Sequence, residues 1–348
     1  MKKVFGTREI FGKKVYNMKV SDIRPEELME GQKKAEESDI IWLEKRKKYF
    51  IEVSCPACGI KRNKFLYEKK SIKQVRCVNC FTQYASPRPT KKLLSEFYTN
   101  SKNYKYFAKY IFPASMEQRR LNLFKPRAEM VGKLAKKYGA QGGKLVEIGC
   151  GYGQFCEEID ALNVFDSIVG IEPTPELASI CRKKNIEVLE NSYENIFFDA
   201  PIDFIVHFEV IEHLFSPKDF INWCFGALKQ GGYMIATCPS VAGLETEVLG
   251  KESNAVDHEH INLFSPDSMT ILLKKCNFEV LEISTPGVLD LDLVRRAVKE
   301  ERFKLDQLDP ILKKIIFNKN TIIQEKFLLL LQEAHLTGNM LVVAKKPL

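Results

Sequence analysis

The sequence predicts an α/β fold with a ligand-binding core and a small cysteine module ahead of it. Three observations predict it. The run LVEIGCGYGQF, residues 145–155, takes an apolar strand into a turn with glycines at 149, 151 and 153, and helical CEEIDAL follows. A second strand, SIVGIE, ends in acidic Glu172, about twenty residues beyond the turn. Four of the ten cysteines form two C-x2-C pairs, CPAC at 55–58 and CVNC at 77–80.

The composition supports this size of fold. Of 348 residues, 45% are hydrophobic and 28% charged, enough for one full α/β core and a smaller module. No apolar run approaches the roughly 20 residues that span a bilayer, so no membrane insertion is expected. The opening MKKVFGTREIFGKK lacks the apolar stretch and small-residue cleavage site of a secretory signal, and a cytoplasmic location is expected. The net charge of +8 is concentrated in residues 1–50 and 102–137. Such basic segments attract nucleic acid or an anionic small molecule such as a nucleotide-sugar, or form the solvated face of a connecting helix.

Residues 1–50 read as an N-terminal helical arm, with Pro25 near a helix start. Residues 51–90 form the cysteine module. Each C-x2-C knuckle offers two thiolates to one tetrahedral ion, and KFLYEKKSIKQVR between them brings the chain back to the same point. Cys55, Cys58, Cys77 and Cys80 are therefore expected to hold a structural zinc in a zinc ribbon, with no position left open for water. The scattered Cys156, Cys181, Cys224 and Cys276 sit in apolar or helical contexts and read as core, which suits a reduced interior.

Residues 91–142 form a basic helical connector that ends at YGAQGGK, where the paired glycines mark the start of the core at 143–287. The glycine turn lets backbone approach a ligand, and the carboxylate of Glu172 suits the two hydroxyls of a ribose. The turn lacks the lysine-serine pair of a P-loop, which argues against phosphate transfer. After the sixth strand of the core comes a charged helical insertion, 288–337, and then a final core strand, NMLVVAKK, within 338–348.

VEIGCGYG, GIEP, PIDFIVHFEVIEHLFSP and LKQGGYMIATCP follow one another in the order of the class I S-adenosylmethionine-dependent methyltransferases, which residues 143–285 resemble. The resemblance implies a Rossmann-like sheet, with the N-terminal zinc ribbon ahead of it and the helical insertion before its last strand. It implies S-adenosyl-L-methionine as cofactor, with Glu147, Gly149 and Gly151 of the first motif on its methionine side. Glu172 would hold the ribose, Pro173 and Ser192 would border the adenine, and Phe208 would touch the cofactor from the other side. The segment Glu209–Val–Ile–Glu212–His213 also resembles coenzyme Q O-methyltransferases, in which that pattern is associated with a metal, and methyltransferases that need none.

The layout of ribbon, SPRP turn and methyltransferase core resembles enzymes of sugar and surface-polysaccharide pathways, sugar C-methyltransferases among them. In those, a tyrosine precedes a His-Glu-His segment whose second histidine takes part in proton abstraction. Here the segment is DHEHINLFSP, so His260 is the expected base, with Glu259 and His258 beside it and Asp257 in the tyrosine's place. That departure keeps methyl transfer to a sugar or nucleotide-sugar hydroxyl and to a carbon both open. In an extended strand, His258 and His260 would face one way and Glu259 the other. The alternative is an RNA or protein methyltransferase that uses the basic N-terminal region, although no N/D-P-P-Y-like motif for a base amino group is present.

Overall fold

The computed structural model describes residues 18–348, together with the backbone of two short strands, Arg8–Ile10 and Lys13–Val15. The first part of the expected N-terminal arm otherwise lies outside the described residues. No helix among them is long and apolar enough to cross a membrane.

Seven strands build the main sheet: β1 (Lys144–Ile148), β2 (Ser167–Ile171), β3 (Glu187–Leu189), β4 (Ile202–Phe208), β5 (Leu228–Pro239), β6 (Glu279–Ser284) and β7 (Asn339–Lys345). Their order is β3-β2-β1-β4-β5-β7-β6, with β7 antiparallel to both neighbours. The central strands read as continuous apolar runs because both faces are covered. Leu145, Phe204 and Val206 pack with Val131, Ala135 and Phe155 on one face. Their strand neighbours Val146 and Ile205 pack with Phe220, Ile221 and Leu272 on the other. Successive side chains of one strand therefore serve two cores, and the loops at the C-terminal edge of β1, β2 and β4 are held from both sides.

The insertion before the last strand is helical, as expected: Asp290–Lys299, Pro310–Ile316 and Thr321–Glu333. Leu291, Val294, Ala297, Leu308 and Ile316 form its own small core with Leu249. The basic connector is a continuous helical run from Lys102 to Lys137, widened by two one-turn π segments at Phe107–Ile111 and Arg120–Phe124.

The cysteine module contains a hairpin, Asn63–Lys69 with Ile72–Cys77, closed by Lys70 and Ser71 at φ 48° and 67°. Two left-handed residues match the twist of a two-residue hairpin, although neither is the glycine or asparagine usual there. A third strand, Gln83–Ala85, follows, and the fourth comes from far along the chain. Asn262–Leu263, directly after the DHEH segment, pairs antiparallel with Tyr84 and Gln83. The module is thus not a separate bead before the core; its sheet is completed by the core's own chain.

Candidate active site

A cavity of 2680 Å³ opens at the C-terminal edge of β1, β2 and β4. A single drug-sized ligand fills roughly 300–1,000 Å³, so this space accommodates a cofactor and an acceptor together. Gly149 and Gly151 line it at φ 75° and 54°. A Cβ at Gly149 would meet Val210 at 3.0 Å, whereas one at Gly151 would meet nothing within 4 Å, so the space over Gly151 is open to a ligand. Glu172, at the end of β2, is buried and accepts hydrogen bonds from the N–H groups of Gly151 (3.0 Å) and Thr174 (2.9 Å). Burial raises its pKa above the ordinary carboxylate value. Pro173, Ser192 and Phe208 line the same cavity, and Phe208 is braced edge-on by Phe155 at 4.8 Å.

Glu147 lies elsewhere. It is buried beneath the turn and does not line the cavity; the Cys156 thiol donates to it at 3.1 Å, and burial pushes its pKa up to about 8. The sequence position is right for the first motif, but the side chain supports the turn instead of facing a ligand.

The DHEH segment also borders the cavity, and it is a turn instead of a strand. Asp257 Oδ1 accepts the N–H groups of Glu259 (2.8 Å) and His260 (2.7 Å), which curls the backbone. Strand alternation therefore fails. Glu259 and His260 line the cavity, while His258 turns inward, with its ring edge-on to Phe97 at 5.7 Å. Burial alone would raise the pKa of Asp257; the neighbouring His260 and His258 and the backbone N–H donors hold it below the ordinary carboxylate range.

His260 Nδ1 lies 2.9 Å from the carbonyl oxygen of Ala255 and 3.5 Å from Asp257 Oδ2. A carbonyl only accepts, so Nδ1 carries a proton, and in the neutral ring Nε2 presents its lone pair. The ring lies 4.8 Å from that of His213. His213 Nδ1 reaches the Tyr98 hydroxyl (3.1 Å) and the Glu259 carbonyl (3.2 Å), and burial and His260 lower its pKa to about 3.

The Glu209–Glu212–His213 pattern does not gather as one face. Glu209, at φ 56°, has its Oε1 taken by Arg127 (3.0 Å), Thr237 (2.7 Å) and Asn339 (3.1 Å). Glu212 is buried, and among the described residues neither of its carboxylate oxygens has a hydrogen-bond partner. Together with His213 and His260 it offers ligand atoms within 4.8 Å of one another. Sequence spacing missed this trio because His260 comes from a distant loop. Arg127 and Asn339, which fix Glu209, carried no sequence signal, nor did Tyr98, whose hydroxyl supplies a tyrosine to the site from a helix well before the core.

The insertion contributes to the roof, with Leu289, Leu293 and Arg296 lining the cavity. Away from it, the four module cysteines are buried, with Sγ–Sγ separations of 3.4 Å for both Cys55–Cys80 and Cys58–Cys77. Sulfurs around a tetrahedral zinc lie about 3.8 Å apart, given bonds of about 2.3 Å, so this cluster fits such an ion.

Residues 116–283 match a family described as a methyltransferase domain. A probable S-adenosylmethionine-dependent methyltransferase of Mycolicibacterium smegmatis is 25% identical over 142 residues, 40% of this chain and 53% of that protein. The mitochondrial ubiquinone biosynthesis O-methyltransferase of Bos taurus is 32% identical over 107 residues, 28% of each chain. The chain therefore spans about half the length of the first relative and less of the second. Among solved structures, a putative sarcosine dimethylglycine methyltransferase from Galdieria sulphuraria is 17% identical, with a TM-score of 0.45 over 64% of this chain and 86% of its own. The plantazolicin methyltransferase BpumL is 13% identical, with a TM-score of 0.48 over 74% and 95%. The strand order, the glycine turn, the acidic end of β2 and the family match together make this a class I S-adenosylmethionine-dependent methyltransferase fold.

Proposed function

We propose that the protein transfers a methyl group from S-adenosyl-L-methionine to a sugar or nucleotide-sugar, with His260 as the base. One observation carries this reading: the open Nε2 of His260 and the seat formed by Gly149, Gly151 and Glu172 belong to one cavity. S-adenosyl-L-methionine, when bound, supplies an activated sulfonium methyl group. The chain's own residues then have two tasks, alignment and proton removal. Glu172 would hold the ribose, and Phe208 would border the cofactor. Nε2 of His260 would accept the proton of the acceptor hydroxyl or carbon, while Nδ1–H stays on the Ala255 carbonyl. Glu259, Asn103 and Asn254 line the acceptor side and suit a polyol.

The roof formed by the insertion favours a small acceptor over RNA or protein. The basic connector is also engaged within the fold: Arg119 donates to Ser115 and Ile23, Arg120 pairs with Glu117 and Glu158, and Arg127 with Glu209. We further assign a structural zinc to Cys55, Cys58, Cys77 and Cys80, because the buried sulfurs form a closed four-ligand set. A second reading, a divalent cation on Glu212, His213 and His260, is favoured by the unpartnered buried carboxylate of Glu212. There His260 would be a ligand and the acceptor hydroxyl would be ionised by the cation.

Turnover of methyl-labelled cofactor against a panel of free and nucleotide-linked sugars tests the assignment. Label in a sugar product, lost in His260→Asn, supports it. Label transferred only to RNA or protein would overturn the acceptor class, and metal-dependent turnover abolished by Glu212→Gln would favour the second reading.

A further inference from the structure

His258 is the least explained polar residue of the segment. It is 2% exposed, and among the described residues neither ring nitrogen has a hydrogen-bond partner. Leaving both unpaired in the interior is unfavourable. Two carboxylate oxygens lie beside the ring at distances too long for hydrogen bonds: Glu259 Oε1 is 3.7 Å from Nε2, and Glu36 Oε1 is 3.9 Å from Nδ1. Asp39 closes the group, since Asp39, His258 and Glu259 offer ligand atoms within 4.8 Å of one another.

We propose that Asp39, His258 and Glu259 form a divalent-cation site joining the N-terminal helix Met29–Glu44 to the DHEH turn. Metal bonds of about 2.1 Å from a histidine nitrogen and a carboxylate oxygen span a 3.7 Å gap with an open angle between them. Each carboxylate is already oriented. Asp39 Oδ2 accepts from Ser101 Oγ (2.6 Å) and Asn103 N–H (2.9 Å), whereas among the described residues Oδ1 accepts only from Lys102 N–H (2.8 Å) and keeps a lone pair. Glu259 Oε1 is steadied by the Asn103 amide at 2.8 Å. Glu36, held by Lys70, faces the other ring nitrogen as the outer carboxylate that metal-bound histidines commonly have. One imidazole and two carboxylates suit zinc or manganese. The site is separate from the cysteine cluster and from Glu212, and it requires no particular acceptor.

The test uses the full chain with its cysteine cluster loaded with zinc. Mn2+ is titrated, and free Mn2+ is followed by electron paramagnetic resonance. Asp39→Asn keeps one oxygen for Ser101 and Asn103 but turns an amide NH2 toward Lys102 N–H, so it should fold with a lowered melting point and lose one Mn2+ equivalent, or bind it at least tenfold more weakly. His258→Gln should do the same, and Glu212→Gln should retain that equivalent. No Mn2+ uptake by wild type at millimolar concentration, with no zinc beyond the cysteine cluster by elemental analysis, overturns the site. So does uptake unchanged in Asp39→Asn, or uptake lost only in Glu212→Gln.

Discussion

The imidazole of His260 is held by its Nδ1 to the main-chain oxygen of Ala255 at 2.9 Å, so one backbone carbonyl sets the tautomer of the proposed base. His260→Asn should cut methyl transfer by about 10²- to 10⁴-fold, the usual worth of general-base assistance. Affinity for S-adenosylhomocysteine, measured by calorimetry, should stay within about twofold by the ordinary scatter of distant substitutions. A variant with wild-type turnover would remove the base assignment.

Glu172 should control cofactor affinity instead. Glu172→Ala removes a buried carboxylate that also accepts from Gly151 N–H. The expected cost is about 1.5–3 kcal/mol per charged hydrogen bond lost, or roughly 10- to 150-fold in the dissociation constant for S-adenosylhomocysteine. Unaltered binding would place the ribose elsewhere.

Glu147 predicts a pH dependence of stability. Burial raises its folded pKa to about 8, while the unfolded value is near 4.5. Between these values the folded state holds a proton that the unfolded state has released. Stability from this group is therefore complete below about 4.5 and declines as pH rises to about 8, by at most about 1.4 kcal/mol per pH unit. Glu147→Gln should flatten that slope in melting curves taken from pH 5 to 8. A slope identical to wild type would contradict the buried-acid reading.

Arg88 should matter to stability without lining the cavity itself. Its buried guanidinium donates to Ala85 O (2.9 Å), Asn262 Oδ1 (2.9 Å), Ile261 O (3.2 Å) and Phe215 O (3.2 Å). Arg88→Met keeps much of the bulk but strands those acceptors, at an expected cost of about 2–4 kcal/mol. Denaturant titration measures this. Acceptor turnover should fall more than cofactor affinity, because the bonds hold the chain next to His260.

What the sequence made legible is what local pattern encodes. The glycine turn, Glu172, the paired cysteines and the insertion before β7 each declare themselves within a few residues. The structure places Gly149, Gly151, Glu172, Pro173, Ser192, Phe208, Glu259 and His260 around one cavity. Three side-chain directions were not legible. Glu147 sits under the turn because its strand position faces the helix carrying Cys156. His258 turns inward because Asp257 curls a segment that strand alternation would have kept straight. Glu209 stands apart from Glu212 and His213 because Arg127, Thr237 and Asn339 converge on it from three elements. Each depends on partners remote in sequence, which spacing alone does not report.

The antiparallel pairing of Asn262–Leu263 with Gln83–Ala85 has a consequence for protein engineering. The cysteine module is not a detachable tag that can be trimmed or exchanged. Excising it would leave a bare edge of main chain two residues from His260, open to pairing with other copies. A chimera intended to change acceptor preference should therefore carry the module and the DHEHINLF loop together as one transplanted unit.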